Sequence, residues 1–208
     1  MKPPELPPGV AVSRETLDLL KKYQDLLTDW QNRVNLVSKN TIPEAWSRHF
    51  VDSLQLLPLI PPSIHHIVDI GSGAGFPGLV MAACRPETRM MLVESTGKKC
   101  QFLSDVAQEL GLSNVQIMNE RVEAVVSRET APDLVSARAL APLHELLTMI
   151  HPWLKKNADL QCLFPKGAKA EDEIAEAKLR GWRFHIKSNP SITEPSAKIL
   201  WLSGIHQV

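Results

Sequence analysis

The chain has 208 residues, 44% of them hydrophobic and 22% charged, enough for a full core in one domain or in one domain with a small appendage. Its formal net charge is zero, which excludes a protein that holds nucleic acid by overall positive charge; such a partner would need a local patch and a fitting shape. Cys84, Cys100 and Cys162 are odd in number and lack metal-ligand spacing, so reduced structural thiols are expected, with no metal ion. No apolar run approaches the ~20 residues of a membrane helix, and Pro58 interrupts the nearest one, Leu54 to Ile60, so no membrane partner is expected. The opening MKPPELPPGV carries no apolar stretch of signal type, and a cytoplasmic location is expected.

In chain order, the first fifty residues read as helical. Leu17, Leu20, Tyr23, Leu27, Trp30 and Val34 recur at spacings of three or four and predict one long amphipathic helix. Thr41-Ile-Pro-Glu44 reads as a second helix start, with a Thr cap, Pro in the first turn and Glu three residues on. Trp46, Phe50, Leu54 and Leu57 would form its buried face, and PLIPPS at 58–63 would end it as a linker. The expected division is therefore a helical extension over 1–62 and a second unit over 63–208.

From there short apolar runs alternate with helical segments. The runs are Ile67–Ile70, Met90–Glu94, Val115–Met118, Asp133–Ala137 and Leu160–Phe164, and Trp182–Ser188 and Lys198–Gly204 close the chain. Helices are expected over Pro77–Cys84, Gly97–Leu110, Val122–Ser127, Leu143–Trp153 and Ala170–Arg180. This alternation predicts an α/β fold, a doubly wound parallel sheet covered on both faces.

IVDIGSGAGFPG, Ile67 to Gly78, places four glycines behind the first strand, at the strand end where ligands of open α/β sheets lie. Glu94 ends the second strand, where a carboxylate can accept both hydroxyls of an adenosine ribose. Gly73-Ala-Gly75-Phe-Pro-Gly78 fits the dinucleotide pattern G-x-G-x-x-G, so a nicotinamide enzyme is one reading. Pro77 opposes it by removing an N–H that a pyrophosphate would use, and Asp69 would face the phosphates with its own negative charge. S-adenosylmethionine has no phosphate and a cationic head, which suits Asp69 directly. It is the expected cofactor.

Further short motifs accompany this turn: RHFVDS (Arg48–Ser53), GFPG (Gly75–Gly78), RVE (Arg121–Glu123), ARA (Ala137–Ala139) and PKG (Pro165–Gly167). Residues 64–208 resemble the class I S-adenosylmethionine-dependent methyltransferase fold, a Rossmann-like doubly wound sheet. With these motifs almost the whole chain resembles the bacterial ribosomal RNA small subunit methyltransferase G (glucose-inhibited division protein B) family. NLVS at Asn35–Ser38 departs from the family's usual N-L-T, outside any catalytic motif. The resemblance implies N7 methylation of a guanine in the decoding-region stem-loop of 16S rRNA. Its partner would be 16S rRNA or a 30S ribosomal particle, and the protein is expected to be a monomer. The resemblance implies a cofactor pocket lined by Gly71 and Phe76, with Val122 and Glu123 beside the adenine, to which the glycine turn adds Gly73 and the strand end Glu94. Arg138 would reach the donor site from strand four.

The residues agree with this chemistry by omission. Guanine N7 offers a free in-plane lone pair, so its methylation removes no proton and asks for alignment instead of a base. No N/D-P-P-Y motif of the amino-group methylases and no Pro-Cys pair of the pyrimidine C5 kind is present. Arg138, the expected catalytic residue, can hold guanine O6, a phosphate or the donor's carboxylate, or can be a surface arginine paired to an acid. Lys166 can meet an RNA phosphate or be an ordinary exposed lysine. Arg48, His49 and Asp52 share a face of the second helix, opposite its apolar stripe, and can line the mouth for substrate or form an ion-pair cluster. For His49 alone a structural role is the simpler reading. Trp153, Trp182 and Trp201 fall on apolar runs and are expected in the core. Methylation of a small molecule or protein by the same fold, a nicotinamide oxidoreductase, and a non-enzymatic RNA- or nucleotide-binding module are the alternatives.

Overall fold

A computed structural model describes residues 6–208. The first half of the MKPPELPPGV stretch, at 1–5, lies outside the described residues. Seven strands form one sheet in the order β3-β2-β1-β4-β5-β7-β6. They are β1 His66–Ile70, β2 Arg89–Val93, β3 Val115–Met118, β4 Leu134–Ser136, β5 Gln161–Lys166, β6 Trp182–Pro190 and β7 Lys198–Gln207. The helices are α1 Arg14–Gln31, α2 Asp52–Leu54, α3 Gly78–Cys84, α4 Gly97–Glu109, α5 Val122–Arg128, α6 Leu143–Lys156 and α7 Ala170–Leu179.

Central strands read as nearly continuous apolar runs because both faces of the sheet are covered, with Asp69 in β1 and Ser136 in β4 as buried polar exceptions. Successive residues alternate between two cores, as the two-residue period of a strand requires. Ile67, Met90, Leu92, Leu163 and Ile199 join α1, α3 and α4 in one core. Val68, Ile70, Met91, Val93, Cys162, Phe164 and Leu200 join α6 and α7 in the other, with Trp153 and Trp182 fully buried there. The edge strand β6 instead alternates partly buried and exposed positions along much of its length, with Trp182 alone fully buried. The thiols of Cys100 and Cys162 are buried, Cys84 is partly so, and burial pushes the pKa of each upward.

The sheet is not wholly parallel. β1 to β5 are parallel neighbours, but β7 runs antiparallel to both β5 and β6. Only the short segment 191–197 joins β6 to β7, too little chain for a crossover helix, so the two strands form a hairpin.

The N-terminal third departs furthest from its expected form. α1 carries the predicted stripe and starts at Ser13, whose hydroxyl accepts the Thr16 N–H at 3.1 Å. It stops at Gln31, whose side-chain oxygen accepts the N–H groups of Leu36 and Val37 and turns the chain, so Val34 lies beyond the helix. Thr41 caps nothing. Lys39–Glu44 is a 3-10 segment in which the Thr41 hydroxyl bonds the Ser38 carbonyl at 2.7 Å. Trp46–Val51 is a wide π turn that runs into α2, and it buries His49 together with Phe50. The PLIPPS stretch is packed, with the Arg85 guanidinium donating to the carbonyls of Ile60, Pro61 and Ile64. No break in the core marks the expected 62/63 division, because Leu20, Tyr23, Leu27, Phe50 and Leu54 share one core with the sheet. This segment joins α3 and α4 in the layer that covers one face of the sheet.

Gly78, at the start of α3, shows how closely the layers approach. A β-carbon there would lie 2.3 Å from Leu92 Cδ2 and 2.8 Å from Asp69 Oδ2. Gly78→Ala is expected to cost about 1–3 kcal/mol by overpacking. Gly97→Ala, whose nearest neighbour would stand at an ordinary 3.5 Å, should cost less; urea unfolding of the two variants checks the difference.

Candidate active site

At the carboxyl ends of the parallel strands lies a cavity of about 970 Å³. The glycine turn forms one wall. Gly71, Gly73 and Gly75 all have positive φ, which L side chains rarely adopt. The turn lies across β2, with the Gly71 and Ser72 N–H groups donating to the Val93 carbonyl. A β-carbon on Gly73 would meet no heavy atom nearer than the Gly71 carbonyl at 3.8 Å, so this backbone faces open space. Behind the turn, the Tyr23 hydroxyl donates to the Ala74 carbonyl, and the Tyr23 ring stacks on Phe76 at 5.2 Å.

Glu94 is nearly buried at the end of β2 and lines the cavity. Its Oε2 accepts the Gly73 N–H at 3.0 Å and its Oε1 the Thr96 N–H at 2.8 Å. Each oxygen keeps a second lone pair. The carboxylate therefore shapes the glycine turn as well as lining the cavity, a dual role that the residue's position in the sequence did not reveal. Val122 and Glu123 line the same wall, with Ser95 and Lys99, which the sequence reading missed.

Asp69 is placed differently from the expectation. It is fully buried beneath the turn and does not line the cavity. Its Oδ1 accepts the Ser136 hydroxyl at 2.7 Å and its Oδ2 the Gly78 N–H at 3.3 Å, so it ties β1 to β4 and to the start of α3. Burial raises its pKa to about 6. The expected facing of Asp69 toward a cationic ligand head is thus corrected: the strand alternation that puts Ile70 in one core turns Asp69 the other way.

Across the cavity stands Arg138, one residue beyond Ala137 at the end of β4. Ala139 follows with φ +52, a left-handed turn that redirects the chain directly after the arginine. The guanidinium donates to Asp52 Oδ2 at 3.0 Å, to the Arg48 carbonyl at 3.3 Å and to His49 Nδ1 at 3.2 Å. It also lies over the Phe76 ring, 5.2 Å from the centroid. Arg138 and Asp52 are thus joined as the ion pair that was one of the two readings of the arginine, and both line the cavity.

His49 is buried, not on an exposed face as its helical spacing suggested. Its ring stacks on Phe76 at 5.1 Å. Burial and then the nearby Arg138 charge push its pKa from 6.5 down to about 4, so it is neutral at pH 7. Nδ1 accepts from Arg138, which puts the proton on Nε2, facing the Thr41 hydroxyl at 2.9 Å. Arg48 is exposed at the mouth and pairs with Glu194 at 3.5 Å. Lys166 is nearly buried, not an open cation. Its ammonium donates to Glu173 at 2.8 Å and to the Ala141 carbonyl at 2.6 Å. Among the described residues no cluster of three or more His, Cys, Asp or Glu side chains is arranged to hold a metal ion, and no helix is long and apolar enough to cross a membrane.

The His49 environment sets a sign for acid stability. The folded value of about 4 lies below the 6.5 of an unperturbed imidazole, so the unfolded chain takes up this proton first and stability falls with pH across that window. Asp69 works oppositely: raised from 3.8 to about 6, it protonates first in the folded state and favours folding as pH falls through the same region. His49→Gln should therefore lose less stability than the parent between pH 6.5 and 4, although it is less stable at pH 7.5 for want of the ring stacking. Urea unfolding across a pH series checks this, and parallel curves for the two proteins would refute it.

Residues 16–198 match the family model described as rRNA small subunit methyltransferase G. A curated relative, the ribosomal RNA small subunit methyltransferase G of Paramagnetospirillum magneticum, is 46% identical over 206 residues, covering 99% of this chain and 97% of that protein. Among solved structures, a precorrin-6y C5,15-methyltransferase of Geobacter metallireducens aligns with TM-score 0.55 at 14% identity, over 74% of this chain and 88% of that one. A mutant of MtNAS in complex with S-adenosylmethionine aligns with TM-score 0.61 at 16% identity, over 91% and 77% of the two chains. At such identities the structural likeness speaks for the fold: a mixed seven-stranded α/β sheet of the class I methyltransferase kind. The family match spans nearly the whole chain, and the chain belongs to the ribosomal RNA small subunit methyltransferase G family.

Proposed function

We propose that this chain transfers a methyl group from S-adenosylmethionine to N7 of a guanine in 16S rRNA, met as free RNA or within a 30S particle. As a member of its family it is an S-adenosylmethionine-dependent ribosomal RNA methyltransferase. The observation that carries the finer reading is the opposition, across one cavity, of a glycine turn with a strand-end carboxylate and an arginine placed over the Phe76 ring. A working monomer, free of metal, in the cytoplasm completes the proposal.

The residues present fit the cofactor. Gly73 leaves room that any β-carbon would narrow, and Glu94 offers lone pairs to a ribose diol while its other pairs hold the turn. Gly71, Phe76, Val122 and Glu123 would complete its seat. When bound, the cofactor supplies an electrophilic methyl group on a sulfonium. Because N7 presents its lone pair in the ring plane, no side chain has to remove a proton. What remains for the protein is to orient the base and exclude water. Arg138 suits the orienting role, because its planar fork has donors left after those given to Asp52, Arg48 and His49. Guanine O6 or a flanking phosphate can accept them. Neutral His49 holds one edge of the fork without adding charge. Arg48 at the mouth meets the RNA backbone. Lys166, with two donors already engaged, contributes a buried positive charge to the cavity wall more than a free phosphate contact.

Radiolabelled methyl donor offered with 30S particles, naked 16S rRNA and protein is the direct test. Label in rRNA, mapped to a base whose glycosidic bond is labilised as N7-methylguanine requires, supports the reading. Label in protein or small molecules alone would replace it with methylation of that other substrate class.

Two variants test the site. Glu94→Ala should weaken cofactor binding by about 1.5–3 kcal/mol, the scale of hydrogen bonds to a charged group. It should also lower the unfolding midpoint, because the Gly73 and Thr96 N–H groups lose their acceptor. Calorimetric titration checks the binding, and in the parent protein it should show tighter binding of S-adenosylmethionine than of NAD. Arg138→Ala and Arg138→Lys should both lose most of the single-turnover rate on 30S particles while remaining folded. Near-parental turnover by Arg138→Lys at low salt would mean that the arginine only attracts RNA.

A further inference from the structure

Asp52 stands at a three-way joint. Its Oδ2 accepts from Arg138 at 3.0 Å, while its Oδ1 accepts from the Gln55 side-chain amide at 2.9 Å and from the Thr193 hydroxyl at 2.6 Å. Thr193 lies in the segment between β6 and β7, 141 positions along the chain. The segment is docked onto the residue that caps the same short helix: the Ile192 N–H donates to Gln55 Oε1 at 2.9 Å, and Gln55 Nε2 reaches Ser191 Oγ at 3.2 Å. A carboxylate accepts only, so the single Thr193 hydroxyl proton goes to Asp52 and the Ser191 hydroxyl must donate to Thr193 at 2.9 Å. Every proton in the cluster then has a place.

We propose that Thr193 is a positioning residue for Arg138, acting through the Asp52 carboxylate; the inference rests on the role given to Arg138 above. An aspartate carboxylate turns easily about its last torsion, whose energy well is broad. Bonds to both oxygens from different directions fix its plane, and the plane of the carboxylate sets the fork of the arginine that binds it. The short 2.6 Å bond from Thr193 comes from outside the helix that carries Asp52, so it opposes a rotation that Gln55, three residues along, would follow. The β6–β7 segment thereby completes a site to which it presents no reacting group.

The test uses single-turnover methyl transfer to 30S particles at saturating cofactor. Thr193→Val keeps the side-chain shape and removes the proton. It should slow transfer by about 10- to 100-fold, the scale of a misplaced orienting group. Its cofactor titration and the 30S concentration giving half-maximal rate should stay as in the parent. Thr193→Ser, which keeps the hydroxyl, should recover most of the rate. In an Arg138→Ala background, Thr193→Val should slow the residual rate no further, because the group it positions is gone. Should Val disturb folding, judged by the thermal midpoint, Thr193→Ala carries the same comparison. Parental rates for the hydroxyl-less variants, failure of Ser to restore the rate, or an equal slowing with and without Arg138 would each overturn the proposal. A fast Arg138→Ala would instead remove the role of the arginine itself, so the two failures are told apart.

Discussion

The glycine turn has to be open on one side and buried on the other, and the contact that reconciles these demands is Tyr23 on Ala74. A turn with so little side chain exposes its carbonyls, and burying one without a partner costs free energy on the scale of a lost hydrogen bond. The Tyr23 hydroxyl supplies the partner from α1 while its ring lies against Phe76, with Phe50 and Phe102 packed around it. The N-terminal helix is therefore what lets the turn keep its cavity face free. Ser13, Leu20 and Leu27 matter to the site through this one contact, because they set where α1 begins and how it packs in the core it shares with α3 and α4.

The same layering explains how a protein of zero net charge keeps charged groups at its cavity. Arg138, Lys166 and Asp52 are each largely withdrawn from water, and each is matched by an opposite charge or by carbonyls. A buried charge without such partners would not remain ionised. The cost of desolvation is offset locally, and the arrangement gains direction: the arginine is aimed by Asp52, His49 and the Phe76 face at once. Asp69 does the corresponding work beneath the floor, joining β1, β4 and α3.

The π turn at Trp46–Val51 is the local device behind this arrangement. A regular helix would keep Arg48, His49 and Asp52 together on one face and the apolar stripe on the other. Widening the turn brings His49 inward onto Phe76 while Phe50 stays in the core, and Arg48 remains outside facing Glu194. Wide turns of this kind are unusual and recur at functional sites.

The sequence by itself determined the elements from β1 onward, to within a few residues, because apolar periodicity and the punctuating glycines and prolines act locally. It also placed the glycine turn, Glu94 and Arg138 at strand ends, since strand ends are where such runs stop. Three things waited for the tertiary structure. The antiparallel β7 depends on a hairpin inserting beside β5, a long-range choice for which the short 191–197 connection was the only local sign. The inward facing of Asp69 and His49 depends on which layer covers them, and hydrophobic spacing along one segment carries no information about its neighbour. The engagement of Lys166 by the carbonyl of Ala141, and of Asp52 by Thr193, joins residues far apart in the chain. Such contacts are decided by packing, because only the folded sheet and its covering layer bring those side chains within hydrogen-bonding reach.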